Sequence, residues 1–366
     1  MFLKSVTITN FKNIEEAKLN FSEKLNCFTG NNGSGKTNLL DALHYLSFTK
    51  SYFNTGDAQV IKHGSNFFVL QGEYERNNSS EKIYCGYEKD KKKIIKRNDK
   101  TYKRFSEHIG LLPVVTVSPN DGILITGTGE ERRKYIDSVI SQYDKEYLYE
   151  LIKYNKILSQ RNRLLKNYIT NSYFDADMID IYDEQLSESG TKIYQKRKTF
   201  ITDLIPIFTE YYETVSGKNE SVSLEYTSHL NDSGFINILH QNIDKDKLLG
   251  YTGKGIHRDD ILLNINNLQL KKAGSQGQQK TFLIALKFAQ FQFIKDISKI
   301  NPLLLLDDIF DKFDAQRVAQ IIKLTNNNFG QIFITDTNPE RVKKVIKTEK
   351  RDFKLFHTEN GRFTEN

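Results

Sequence analysis

The sequence predicts an α/β fold that is interrupted by a long helical segment. Two groups of predicted strands lie on either side of a stretch from 130 to about 212 that is compatible with helix nearly throughout. The predicted strands cover 2–9, 24–29, 67–75, 82–88, 113–118, 221–226, 260–265, the run NPLLLLDDIF and the run GQIFITDT. This order predicts one α/β head, formed by 1–125 and 251–366, with a helical lobe inserted at 126–250.

Length and composition agree with a large intracellular protein of one or two domains. The chain has 366 residues, of which 38% are hydrophobic and 27% are charged. Its two cysteines cannot form a disulfide framework, and they indicate a reducing compartment. The N-terminus alternates like a strand rather than like a secretory signal, and no stretch reaches the roughly 18 apolar residues of a membrane span. We therefore expect a cytoplasmic protein.

The net charge of +7 is unevenly distributed along the chain. Both ends are basic, whereas the middle is mildly acidic. A basic surface suggests a phosphate-bearing partner such as a nucleic acid, but it is equally typical of lysine-rich proteins in general. Charge alone therefore selects no function.

The stretch GNNGSGKT matches the phosphate-loop pattern G-x-x-x-x-G-K-[ST] between a predicted strand and a predicted helix. Its glycines allow successive N–H groups to face phosphate oxygens, and the helix N-terminus adds partial positive charge. Lys36 is predicted to reach the β- and γ-phosphates of ATP, and the hydroxyl of Thr37 to bind Mg²⁺. The predicted nucleotide contacts are Gly30, Asn31, Asn32, Gly33, Ser34, Gly35, Lys36 and Thr37.

Two carboxylates follow the apolar run LLLL. In a phosphate-loop protein such a strand is buried, and its end lies beside the phosphates. Asp307 is predicted to hold Mg²⁺, and Asp308 to orient or deprotonate the attacking water. A capping aspartate would explain one of these acids but not both. Because two carboxylates repel a triphosphate, nucleotide binding should depend on the metal.

The stretch GSQGQ opens a long predicted helix and contains neither a nucleophile–base pair nor metal ligands. On its own it fits an N-capped helix as well as a phosphate receptor. However, the order GNNGSGKT, GSQGQ, LLLLDD resembles that of the ABC-type ATPases. That resemblance implies that Ser275, Gly277 and Gln278 receive the γ-phosphate of a nucleotide on a second protomer. It also implies that Asp314 lies at the same seam, so that ATP joins a symmetric pair.

Longer segments are similar to one family. The N-terminal LKSVTITNFKNIEEAKLNF resembles the opening strands of SMC-like ATPases. The segments SPNDGILITGTGEERRKYIDSVI, YNKILSQRNRLLK, TGKGIHRDDILLNIN and GSQGQQKT resemble, in the same order, characteristic segments of RecF proteins. The chain is therefore identified as a RecF-like sequence over nearly its whole length.

The resemblance implies an ABC/SMC-type head with a helical lobe in place of a long coiled coil. It further implies an ATP-dependent dimer that binds DNA at gaps and at junctions of single and double strands. Slow, DNA-stimulated ATP hydrolysis would reset it. The resemblance also implies RecO- and RecR-type partners and recombinase loading in replication and repair. It further implies a role in the SOS response to DNA damage.

Two features depart from the family pattern. Members usually carry an arginine after Ser-Phe, whereas Ser51 and Tyr52 are followed by Phe53. Transporter-type ABC ATPases carry a histidine where Asp336 stands, so a γ-phosphate sensor remains unassigned, and sequence alone does not bring His257 to that place.

DNA contacts are expected in the strongest basic run, which predicts a hairpin with Asn98 and Asp99 at its turn. A solvated hairpin explains this run nearly as well. The candidates are Lys91, Lys92, Lys93, Lys96, Arg97, Lys100, Lys103 and Arg104. Arg132, Arg133 and Arg161 match family positions but fit internal ion pairs equally well.

Two other functions fit part of the sequence. The nucleotide-binding subunit of an ABC transporter would lack the middle helices and carry the switch histidine. A small-molecule kinase would leave GSQGQ and the paired acids unexplained.

Overall fold

A computed structural model describes residues 1–171, 174–217, 220–309, 317, 320–321, 324, 329–341 and 352–365. The chain folds into two compact units. Unit 1 comprises Met1–Asp121 and Leu283–Asn366, and unit 2 comprises Gly122–Phe282. The unit that contains the predicted helical lobe thus runs past residue 250.

Unit 1 contains an antiparallel sheet. Its strands are β1 (Phe2–Phe11), β2 (Ile14–Asn20), β4 (Phe67–Arg76), β5 (Ser79–Glu88), β6 (Ile94–Arg97) and β7 (Lys100–Thr101), in the order β2-β1-β4-β5-β6-β7. The predicted strands 67–75 and 82–88 pair as β4 and β5. Asn98 and Asp99, both with positive φ, form the β6–β7 turn, which confirms the predicted hairpin.

The second sheet of unit 1 is mainly parallel. Its strands are β3 (Leu25–Thr29), β8 (Val114–Val117), β12 (Leu303–Asp307), β13 (Ile332–Asp336), β14 (Phe353–Glu359) and β15 (Arg362–Glu365), in the order β15-β14-β3-β13-β12-β8. Among its described strands, β14 and β15 form the one antiparallel pair, and the other pairs are parallel. The carboxyl ends of β3, β8, β12 and β13 therefore meet at one edge, as expected for a site built at such ends.

Helix α1 (Lys36–Phe48) packs between the two sheets of unit 1. Its four leucines, Leu39, Leu40, Leu43 and Leu46, follow the helical repeat in the sequence, which predicts one buried face, and they are at most 2% exposed. Each such leucine stabilises the fold by about 1.5–3 kcal/mol. The Gln331 side-chain amide connects its segment to the N-terminal strands by hydrogen bonds. It accepts from Leu3 N (2.7 Å) and donates to the Leu3 and Ser22 carbonyls.

Unit 2 is mostly helical, as predicted. Its helices are α2 (Ile123–Thr126), α3 (Gly129–Ser141), α4 (Lys145–Asn171), α5 (Ala176–Ser216), α6 (Phe235–Gln241), α7 (Ile243–Leu249) and α8 (Leu270–Ala273). A small sheet in the order β11-β10-β9 consists of β9 (Val222–Thr227), β10 (Asp260–Ile265) and β11 (Leu268–Gln269). Helix α9 (Gln276–Ser298) begins in unit 2 and ends in unit 1.

Two buried arginines organise the interior of unit 2. Arg161 pairs with Asp183 (2.5 Å) and Asp246 (2.7 Å), and Arg197 pairs with Asp137 (2.8 Å) and Asp259 (3.0 Å). None of the helices in the described part of the chain has the length and apolar character needed to cross a bilayer.

Candidate nucleotide-binding site

The phosphate loop connects β3 to α1, as the sequence predicted. Gly35 precedes α1 with φ 119°, and no side chain caps the first turn of that helix. Its N–H groups are therefore available to an anion at the positive end of the helix dipole. At Gly30 a Cβ would lie 2.2 Å from the Thr358 carbonyl oxygen, so that only glycine fits there.

Lys36 lies across the phosphate loop and is 4% exposed. Its Nζ donates hydrogen bonds to the carbonyls of Gly30 (2.7 Å) and Asn31 (2.9 Å). The Ser34 hydroxyl is buried without a hydrogen-bond partner among the described residues. A lysine held at the loop and an unsatisfied hydroxyl in it are the donors that phosphate oxygens require.

Thr37 and Asp307 form the candidate metal site. Asp307 Oδ1 accepts hydrogen bonds from Thr37 Oγ1 (2.9 Å) and Thr335 Oγ1 (2.8 Å), and Thr335 Oγ1 also accepts from Asp308 N (3.0 Å). Burial raises the pKa of Asp307, as does the nearby Asp308 charge, although the two hydroxyl bonds and Lys36 partly oppose this. Hydroxyl and carboxylate oxygens suit Mg²⁺, and a cation would offset the burial of the charge, so the residues fit this metal.

Asp307→Asn is expected to raise the melting temperature of the nucleotide-free protein while weakening Mg²⁺-dependent ATP binding. Because the folded-state pKa of Asp307 is raised, its ionisation destabilises the fold at neutral pH, and this cost is relieved as the pH falls toward that pKa. We expect at least a tenfold loss of ATP affinity with Mg²⁺, or about 1.4 kcal/mol. Thermal melting and nucleotide titration measure the two effects.

Glu81→Gln provides the contrast. Glu81 is also a buried carboxylate, but Arg97 binds it through two hydrogen bonds and holds its pKa below the ordinary value, so neutralising it removes a stabilising charge pair and should lower the melting temperature. A similar fall for Asp307→Asn would contradict the assignment of Asp307 to a cation-binding site.

Two further carboxylates lie at the same edge of the sheet. Asp308 adopts φ 44° directly after β12, a conformation that aspartate tolerates. Asp336 ends β13 and is buried, with one oxygen accepting from Asn338 N (2.7 Å) and the other accepting no hydrogen bond from the described residues. Burial, with the Asp308 charge, raises the pKa of Asp336. Asp336 was known from sequence only as a departure from a histidine, yet it belongs to this acidic edge.

A small pocket beside Thr37 and Asp307 contains residues that sequence reasoning missed. Besides these two it is lined by Leu40, Asp41, Tyr52, Phe53, Thr116 and Ser118. Asp41 lies one helical turn after Thr37, a spacing that could have indicated it. Its carboxylate pairs with Lys12 (2.6 Å) and accepts from Ser51 Oγ (2.8 Å). Phe53, which replaces the expected arginine, lies with its ring 4.6 Å from Lys12 Nζ.

The signature turn (Gly274–Gln278) lies in unit 2 and forms a capping box. Ser275 N donates to Gln278 Oε1 (2.7 Å), and Gln278 N donates to Ser275 Oγ (3.3 Å). The Gln278 side chain also donates to Glu220 Oε1 (2.7 Å). The turn therefore caps the helix, as one of the two alternatives from the sequence predicted. Because the Ser275 hydroxyl only accepts a hydrogen bond in this cap, its O–H can still donate to a phosphate. Asp314 lies outside the described residues.

Both ring nitrogens of His257 lie within hydrogen-bond distance of partners in unit 2. Its Nδ1 contacts Tyr154 OH at 2.8 Å and its Nε2 contacts the Thr252 carbonyl at 2.9 Å. Burial lowers the pKa of His257 to about 4, which keeps the ring neutral at physiological pH. The ring is therefore engaged in the fold of this unit.

The basic run divides into paired and exposed side chains. Lys93 pairs with Asp57 (2.9 Å) and donates to the Thr49 carbonyl (2.7 Å), and Arg97 forms a two-bond contact with Glu81. The exposed members are Lys91, Lys92, Lys100, Lys103 and Arg104, of which Lys91 pairs with Glu88. Lys96 is half-buried, with its ammonium 5.4 Å from the Tyr84 ring centre.

The arginines at family positions are engaged within unit 2. Arg132 binds Asp260 through two hydrogen bonds (2.6 and 2.8 Å), and Arg133 donates to the Asp259 carbonyl (2.6 Å). Arg132 and Arg161, which is buried against Asp183, therefore form the internal ion pairs that the sequence left open, whereas Arg133 binds a backbone carbonyl of the same unit.

Comparison with known proteins assigns the family. The family described as "RecF/RecN/SMC N terminal domain" matches residues 2–364. The DNA replication and repair protein RecF of Flavobacterium johnsoniae is 49% identical over 98% of this chain and all of its own length. That of Bacteroides thetaiotaomicron is 49% identical over 99% of this chain and 98% of its own. The chain belongs to the RecF family.

Solved structures agree with this assignment. The chain is similar to "the recombination mediator protein RecF-ATP in RecFOR pathway", with a TM-score of 0.91 and 30% identity over all of this chain and 97% of that one. An Smc head domain from Pyrococcus furiosus shares the fold alone, with a TM-score of 0.60 and 15% identity over all of this chain and 96% of that one. The predicted ABC/SMC-type head is confirmed, and the transporter alternative gains no support.

Proposed function

We propose that this member of the RecF family is a Mg²⁺-dependent ATPase whose bound ATP joins two copies of the chain around DNA. The observation that carries the proposal is the arrangement of Lys36 on the phosphate loop with Thr37 hydrogen-bonded to Asp307. This is the donor and acceptor set that a metal–triphosphate complex needs. The RecF–ATP structure that this chain resembles supports ATP as the nucleotide.

Different residues would bind the phosphates, hold the metal, orient the attacking water and close the site. Lys36 and the N–H groups of Gly30–Gly35 bind and orient the β- and γ-phosphates. Thr37 and Asp307 would hold Mg²⁺, which supplies charge neutralisation on the phosphate oxygens. Asp308 orients the attacking water or accepts its proton. Ser275, Gly277, Gln278 and Asp314 of a second copy would close the site, making the interface isologous.

The exposed basic residues of the β6–β7 hairpin and its flanks would contact DNA phosphates. Lys92, Lys100, Lys103 and Arg104 are the strongest candidates because they are exposed and the structure gives them no ion pair within the described residues. Lys93 and Arg97, which are paired internally, would serve the hairpin itself. Phosphate contacts make the affinity fall steeply with salt and carry little sequence preference.

Replacing Lys103 and Arg104 with glutamate is expected to weaken DNA binding uniformly across sequences. If both residues contact phosphates, the slope of log K against log salt decreases in magnitude by roughly 2, since each contact contributes about 0.9 on duplex DNA. Fluorescence anisotropy with gapped and fully paired DNA across a salt series measures this. The control reverses two charges elsewhere in unit 1 by replacing the exposed Lys18 and Lys24 with glutamate, and it should leave the slope unchanged. An equal effect of both variants would contradict this location of the DNA surface.

We further propose RecO- and RecR-type partner proteins, gapped DNA as the preferred substrate, and a cytoplasmic location. The partners are supported by the similar RecF structures, whose descriptions place those proteins in the RecFOR pathway.

The experiment that tests the whole proposal is mass measurement in solution with ATP and Mg²⁺, with and without gapped DNA. An ATP-dependent doubling of mass is expected. A mass that stays monomeric at saturating ATP would overturn the dimer.

A further inference from the structure

A buried polar network lies beside the candidate metal pocket and has no role in the mechanism above. Lys287 Nζ pairs with Asp121 Oδ1 at 3.0 Å, and both side chains are only 6% exposed. The Tyr52 hydroxyl donates a short hydrogen bond to the same Asp121 oxygen and accepts one from Lys287 Nζ (3.2 Å). Three residues from distant parts of the sequence thus converge on one buried point.

This network is bonded directly to the walls of the pocket. The second oxygen of Asp121 accepts from Ser118 N (2.8 Å), directly after β8. Strand β8 pairs with β12, which ends at Asp307. On the other side, Tyr52 N donates to Asp41 Oδ1 (2.7 Å), one helical turn after Thr37. The ring of Tyr52, Ser118 and Asp41 all line the pocket that also contains Thr37 and Asp307.

Stability alone gives a weak reason for such a network. Moving a carboxylate and an ammonium out of water costs several kcal/mol per ion, and an apolar replacement of equal volume is often as stable. What the network does fix is geometry, because each member has its position set by two or more partners. Small displacements of reacting groups reduce hydrolysis far more than they reduce binding.

We propose that Tyr52, Asp121 and Lys287 are positioning residues for ATP hydrolysis. Through Ser118 and Asp41 they hold the pocket wall beside Thr37 and Asp307 in the geometry that the hydrolytic step needs, while the phosphate loop binds ATP without them. Lys287 also places one end of the network on α9, the helix that begins at the signature turn. This inference rests on the proposed ATPase function.

Tyr52→Phe is the decisive variant because it removes only the hydroxyl. We expect kcat for ATP to fall about tenfold, with KM and the affinity for ATP changing less than threefold and the protein remaining folded. Tyr194→Phe is the matched control, since the Tyr194 hydroxyl likewise donates to an oxygen acceptor, Asn231 (3.0 Å), and accepts from a lysine, Lys198 (3.3 Å), but lies in unit 2. It should leave kcat unchanged.

Lys287→Met and Lys287→Arg add a rescue test. The arginine keeps a charge for Asp121, so it should recover at least half of the kcat that the methionine loses. Equal kcat for Tyr52→Phe and the unaltered protein, or loss of ATP affinity in place of kcat, overturns the positioning role. If Lys287→Met fails to fold, the Tyr52→Phe result decides. Absence of turnover in the unaltered protein, with and without DNA, would instead overturn the proposed ATPase function, and with it this inference.

Discussion

Lys36→Ala is expected to abolish ATP-dependent dimerisation. The ammonium now held by the Gly30 and Asn31 carbonyls would bind the β- and γ-phosphates of ATP, and each charge-assisted hydrogen bond contributes about 1.5–3 kcal/mol. Losing two of them corresponds to a loss of ATP affinity of roughly 100-fold or more. Equilibrium nucleotide titration and mass measurement in solution check the two consequences separately.

The control for this variant is Lys18→Ala, which removes an equivalent charge from the exposed face of β2. It should dimerise with ATP as the unaltered protein does. An undiminished ATP-driven dimer in Lys36→Ala would show that the phosphate loop does not mediate the association, and the proposed mechanism would be wrong at its first step.

Ser275→Arg is expected to separate ATP binding from dimerisation. Ser275 lies in the signature turn, where its hydroxyl and the N-terminus of α9 would meet the γ-phosphate of the opposite copy. A large side chain there should leave the affinity of a monomer for ATP within about twofold, or 0.4 kcal/mol, while dimerisation and turnover are lost. If Ser275→Arg weakened ATP binding by the monomer as strongly as it weakened dimerisation, this division of roles would be contradicted.

Mixing the two variants gives a sharper test of the composite site. A mixed pair has one site with an intact phosphate loop from the Ser275→Arg copy and an intact Ser275 from the Lys36→Ala copy. Its other site carries both defects. We therefore expect the mixture to hydrolyse ATP at a rate well above the sum of the two variants measured alone. No gain on mixing, at concentrations where the unaltered protein dimerises, would indicate that each copy completes its own site.

Local patterns predicted the strands that carry the candidate site, β3, β12 and β13, and the phosphate-binding elements because the physics there is local, whereas β14 and β15 were not predicted. The short apolar run 303–306, which follows a proline and ends in two acids, is typical of a buried strand, and GNNGSGKT predicts a loop and the start of a helix by its glycines and spacing. The four leucines of α1 follow the helical repeat and are buried as expected. These features needed no knowledge of distant residues.

Features that depend on distant residues were not predicted. Asp41, Tyr52, Asp121 and Lys287 meet beside the metal pocket although no motif connects them, because only the folded chain brings them together. The basic run likewise looked uniformly exposed, but Lys93 turns inward to Asp57. Charge patterns show which residues carry charge and not which acids will face them.

The helix α5 illustrates how packing overrides a local signal. Pro206 removes a backbone hydrogen bond and costs about 3 kcal/mol in a helix interior, yet α5 continues to Ser216. Leu204 and Phe208 on either side are fully buried, and each contributes about 1.5–3 kcal/mol. Burial on both sides of the proline therefore offsets its local cost.

The position of β3 in its sheet has a consequence for how the protein is made. Both neighbours of this strand, β13 and β14, are translated some 300 residues after it. At ribosomal speeds of about 5–20 residues per second, the nascent strand waits roughly 15–60 s for either of them. Until then both backbone edges of β3 lack their partner strands, and no completed ATP-binding surface exists to pair with a finished copy. The topology thus delays assembly until nearly the whole polypeptide has left the ribosome.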